Sequence, residues 1–132
     1  MGEIIQNAVI DYATITIERG LILTSSIGLD YGDSSHQGYG GLVLGGMPKS
    51  KAGEHWDQKN FCAEWIVGVM RAADVEDWSK LTGRTVRVKR SGPGLVGMIT
   101  AIGHIVKDDR WFDATAAFDQ LAASAATGGG HD

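Results

Sequence analysis

The longest apolar run in the chain is Leu95–Ile105, LVGMITAIGHI, interrupted by Gly97, Thr100, Gly103 and His104. It lacks helical spacing, so it reads as a strand buried on both faces and as the expected centre of a sheet. Extended, it places Leu95, Gly97, Ile99, Ala101, Gly103 and Ile105 on one face, with Val96, Met98, Thr100, Ile102 and His104 on the other. Glycine and alanine on the first face predict a close neighbour, a helix. Ala8–Glu18, rich in Ile, Val, Thr and Tyr, and the alternating Leu21–Leu29 predict an antiparallel hairpin with its turn at Arg19-Gly20. Leu42–Leu44 is a short strand. In Thr85–Arg90, Val86 and Val88 point inward and Arg87 and Lys89 outward; Ser91–Gly94 turns into the apolar run, and Lys107–Arg110 ends the sheet.

The period changes between these blocks. In Asn60–Ala73, the residues Cys62, Trp65, Ile66, Val69, Met70 and Ala73 recur at steps of three and four, forming one apolar stripe opposite Glu64, Gly68 and Arg71. This helix is the one expected to dock on the glycine face. Asp74–Gly83 predicts a short second helix, capped by Asp74 and closed by Gly83. Asp113 caps a last helix, Ala114–Ala126, with the stripe Ala117, Phe118, Leu121 and Ala125. Asp30–Gly41 and Met47–Lys59 are loops, and Thr127–Asp132 is a disordered tail. The order β-β-β-α-α-β-β-α predicts an α+β fold. It is a single domain over residues 1–126, with an antiparallel sheet of about five strands, two main helices and one short helix.

Composition narrows the function. A chain of 132 residues supports one real core, and a net charge of −4 disfavours direct nucleic-acid binding. A single cysteine, Cys62, precludes an internal disulfide and suits the cytoplasm. No run is long enough to span a membrane, and no signal peptide is expected.

Chemistry is concentrated in two places. Asp30–Gly41 carries Gly32, Gly38, Gly40 and Gly41, whose backbone N–H groups suit an anion, with Tyr39 as a stacking ring; the same glycines also suit a wide turn. Arg84, Arg87, Lys89 and Arg90 gather four of the twelve basic residues, which suits a phosphate or a charge-protected edge strand. His104 is either a pocket group or a core histidine bonded to backbone. Trp111-Phe112 is expected as a plug under the last helix, and Trp65 and Trp78 as core. His36, His55, His104 and His131 have no metal-ligand spacing with one another or with Cys62, so neither a metal nor a cofactor is expected. No paired base and nucleophile stands out, which predicts a protein that is not an enzyme.

The stretches LDYGDSSHQGYGGLVL (Leu29–Leu44), GRTVRV (Gly83–Val88) and AIGHIVKDDRWF (Ala101–Phe112) resemble small proteins encoded in phages and prophages. Within that group the chain is most similar to the Thoeris anti-defence sponge proteins, over roughly Leu21 to Phe118. The resemblance implies a counter-defence protein of the host cytoplasm. Such a protein assembles as a homo-oligomer and sequesters a cyclic nucleotide immune signal without cleaving it. The ligand would meet Tyr39, Gly40, Gly41, Arg84, Arg87, Lys89 and His104. The last helix here has no arginine for a pyrophosphate, so Arg84–Arg90 would take that part. The alternative is an inhibitor of a host defence nuclease complex, such as a CRISPR effector, acting through an acidic surface that includes Asp30, Asp33, Asp108 and Asp109.

Overall fold

The computed structural model describes residues 3–18, 22–46, 61–91 and 98–129. One antiparallel sheet of six strands carries two helices, an α+β arrangement. The strands are β1 (Glu3–Glu18), β2 (Ile22–Asp30), β3 (His36–Gly46), β4 (Thr85–Ser91), β5 (Met98–Gly103) and β6 (Trp111–Phe112). The helices are α1 (Phe61–Ala73) and α2 (Ala114–Gly129). The order across the sheet is β3-β2-β1-β4-β5-β6, so two three-stranded meanders meet where β1 pairs with β4.

The centre therefore falls on β1 and β4, and the apolar run expected there is the fifth strand of six. Among the described residues of that run, only Ala101–His104 is buried throughout, with Met98 74% exposed and Ile105 39%, and the burial has a local cause. Ile102 faces the helical side opposite Val88 and Phe112, while the six-membered ring of Trp111 lies over Gly103 on the other side. The close neighbour of Gly103 is thus a tryptophan and not a helix. A register shift opposite Lys89/Arg90 also breaks the expected alternation: Ala101 stands opposite Lys89, whereas Ile99 stands opposite Arg90 and packs on the core. Residues 95–97 lie outside the described residues.

The stripe of α1 buries Trp65, Val69, Ala72 and Ala73, with Cys62 and Ile66 packed at its margin. Gly68, expected on the outer side, lies against the Phe112 ring and lets the helix approach β6. The stripe of α2 meets α1 through Phe118, which stacks on Phe61 with centroids 4.7 Å apart. Asp113 caps α2 as expected, its Oδ1 accepting from Ala116 N at 3.0 Å. The predicted second helix reduces to one 3-10 turn, Trp78–Lys80, capped by Asp77 instead of Asp74. Asp74 has φ +60°, which ends α1. The strand expected at Leu42–Leu44 begins at His36, and α2 continues to Gly129, past the expected start of a tail. The expected loop Met47–Lys59 lies outside the described residues. No described helix is long and apolar enough to cross a membrane.

Candidate functional site on the open face of the sheet

Both helices pack on one face of the sheet. The other face carries Ile5, Val9 and Tyr12 of β1, each 40% exposed or more, together with Arg87 and Lys89 of β4. Residues paired across the ladders share a face, so Arg87, Gly103 and Trp111 form one row on this side. Gly103 gives the indole a floor, and two cations rest over the same ring. Arg87 Cζ is 4.9 Å from the centroid and Lys89 Nζ is 4.1 Å from it.

The two cations differ in their commitments. Arg87 Nε donates to the His104 carbonyl at 2.7 Å, and its Nη2 donates to Asp108 Oδ1 at 2.8 Å. Those two bonds use part of a guanidinium that has five donors. Lys89 forms no ion pair among the described residues, so its ammonium keeps donors for a ligand. Asp108 is 84% exposed on its side chain and closes the rim of this shelf.

His104 secures the turn that carries Asp108 and leads into Trp111. Its Nδ1 accepts from the amides of Val106 and Lys107, each at 3.0 Å, which places the ring proton on Nε2. Nε2 faces Asp74 Oδ2 at 3.5 Å, and Arg110 donates to the other carboxylate oxygen at 3.1 Å. These two partners, His104 first, hold the Asp74 carboxyl below its usual range. His104 is thus a buried histidine bonded to backbone, standing behind the shelf.

The other predicted site residues are dispersed. Arg84 leaves the sheet to cap α1, donating from Nε to Ala73 O at 3.1 Å. Arg90 lies on the helical face, 4% exposed, with Nη2 donating to Gln6 Oε1 and its guanidinium over Tyr31. Only Arg87 and Lys89 of the basic cluster come together, as the alternation with Val86 and Val88 predicts. Gly40 packs under Trp65 and Gly41 is exposed. Tyr39 is in the core, its ring 5.6 Å from that of Trp65. Its hydroxyl accepts from Ala114 N at 2.9 Å, filling a helix-start donor that no intrahelical carbonyl reaches.

Burial pushes the Tyr39 hydroxyl up to about 12. A raised value means that the stability it supports is complete below the unfolded pKa near 10 and is lost as pH rises through about 12. In an ultraviolet alkaline titration, one tyrosine should ionise only near the top of the range or together with unfolding. Tyr39→Phe should remove that phase. Full ionisation of every tyrosine by about pH 10.5 with the fold intact would contradict this placement.

Trp111, expected with Phe112 as a plug under the last helix, lies on the open face instead. Phe112 is buried, 8% exposed, but it packs under α1, not the last helix, while Trp111 takes the opposite face because adjacent strand residues alternate. Of the expected acidic residues, Asp30 ends β2 and Asp33 lies in the turn after it, whereas Asp108 and Asp109 lie between β5 and β6. Asp33 holds its own turn by accepting from Ser35, which lowers its carboxyl pKa, and Asp109 is exposed in the turn after Asp108. Strand pairing assembles a second group: Asp30, expected on an acidic surface, joins Asp11 and His36, neither of which stood out in the sequence, and each presents a ligand atom, all within 4.8 Å of one another. Among the described residues no hydroxyl or thiol is hydrogen-bonded to a histidine. Comparison with known protein families, curated proteins and solved structures gives no match.

Proposed function

We propose that this is a binding protein, not an enzyme, and that its open face takes an anionic small molecule of the nucleotide class. The observation that supports the reading most is the Trp111 shelf. There, two cations converge on one ring at a face left open by both helices, and Lys89 keeps donors for a phosphate. The Lys89 ammonium serves a phosphate, and the Trp111 ring gathers both cations at that spot. Sequestration of a cyclic nucleotide immune signal without cleavage is the role that the phage-protein resemblance adds to this patch.

Calorimetry with a panel of cyclic nucleotides tests the reading. A charge-assisted hydrogen bond is worth about 1.5–3 kcal/mol, so Lys89→Ala should weaken binding roughly tenfold to a hundredfold. Trp111→Ala should also weaken binding, because it removes the ring on which both cations rest. Lys89 is the cleaner probe, because Arg87 also ties down His104 and Asp108. A wild-type protein that binds none of the panel, or returns cleaved nucleotide, would end this reading.

A further inference from the structure

We propose that Asp11, Asp30 and His36 form a binding site for a divalent first-row metal ion of the zinc or manganese type. The residues come from three neighbouring strands and meet at one end of the open face. Asp30 is in register with Val9 of β1 on one side and with His36 of β3 on the other. Asp11 sits at a register shift in β1, between Ile10 and Tyr12. A bulge of this kind re-aims a side chain, and here it turns Asp11 over the sheet toward the other two. Gly28 completes the arrangement: a Cβ there would collide with both the Asp11 carboxylate and the Tyr12 ring.

The donor atoms suit one ion. His36 Nδ1 donates to Asp11 Oδ2 at 3.0 Å, and an ion replacing that proton would find the two atoms near the spacing of about 3–3.5 Å between neighbouring donors bound at about 2.0–2.2 Å. Asp30 reaches within 4.8 Å of both, so a small side-chain rotation closes the set. Its carboxylate is already oriented, with Oδ1 accepting from Gly32 N at 2.8 Å, the sort of outer contact that fixes a ligand. Neither Asp11 nor Asp30 forms an ion pair with lysine or arginine among the described residues, so a dication would offset two crowded carboxylates. One imidazole nitrogen with two carboxylate oxygens favours zinc or manganese over magnesium or calcium, which take oxygen alone. Exposure of His36 and Asp11 leaves the remaining positions to water or to an exogenous ligand. The inference is independent of the Trp111 shelf.

The test is titration of the full chain with zinc, manganese and magnesium ions, followed by calorimetry and thermal melting. One equivalent of zinc should bind and raise the melting temperature, since binding to the folded state alone stabilises it. Asp11→Asn and His36→Gln should each weaken zinc roughly tenfold or more, while Asp33→Asn, in the same turn, should leave it unchanged. Manganese should broaden the amide resonance of Gly32, whose N–H is bonded to Asp30 Oδ1, at the lowest additions, a readout that needs no variant. Zinc affinity unchanged in both ligand variants would place the ion elsewhere and overturn the proposal. Magnesium binding as tightly as zinc, or no binding of either transition ion at roughly 100 μM, would overturn it too.

Discussion

Trp65→Ala should cost about 3–5 kcal/mol of stability, a large share of the 5–15 kcal/mol typical of a whole domain. Trp65 is fully buried on α1 and touches both halves of the sheet through its ring: Tyr39 of β3 lies 5.6 Å away and Phe112 of β6 lies 5.8 Å away. Its indole N–H also donates to Ser25 Oγ at 2.8 Å in a dry environment. Alanine would leave a cavity among residues held by the sheet, which restricts collapse around it. Melting should fall by roughly 10–20 °C at this chain length. Trp65→Phe keeps much of the ring and loses the bond to Ser25, so it should cost less, about 1–3 kcal/mol. An alanine variant melting within about 5 °C of wild type would show that Trp65 does not join the two halves.

Gly40→Ala should cost about 2–5 kcal/mol, whereas Gly41→Ala, one position on, should cost about 1 kcal/mol. Both glycines have positive φ, +114° and +73°. They differ in what surrounds them. A Cβ on Gly40 would stand 2.6 Å from the Ser25 carbonyl and 2.7 Å from Trp65 Cη2, and neither can yield, since one is sheet backbone and the other the core's largest ring. A Cβ on Gly41 meets nothing within 4 Å, so only the backbone strain remains. Urea unfolding of the two variants side by side measures the difference. Equal costs would mean that crowding beneath Trp65 is not what demands glycine at position 40.

That pair shows where the sequence was legible. Glycines in a polar stretch look alike whether they serve a turn, an anion or a close-packed ring, so the segment around Tyr39 read as a loop although β3 runs through it. What α1 buries was legible because a period near 3.6 shows in the residues themselves, and the outward direction of Arg87 and Lys89 followed from a period of two. The same period puts Arg90 inward with Val86 and Val88; grouping it with its basic neighbours by proximity along the chain ignored that signal. Trp111 could have been separated from Phe112 by the same rule. Asp11, by contrast, lies far along the chain from Asp30 and His36, and spacing among histidines and the cysteine cannot reveal a site assembled by strand register. The hairpin expected from Ala8–Glu18 and Leu21–Leu29 held the clue, since its ladder brings Val9 to Asp30.

The meeting of the two meanders at β1 and β4 also bears on how the chain finds its fold. Val9 is held from both sides, by Asp30 in the neighbouring hairpin and by Thr85 from the second meander, roughly 75 positions away along the chain. Closing the longer loop costs only about 1 kcal/mol more than closing the shorter one, because closure entropy grows with the logarithm of length. The seam is therefore a small burden on equilibrium stability and a large one on the rate. Each meander assembles from contacts close in sequence, but the continuous sheet and the core beneath it exist only after the distant strand arrives.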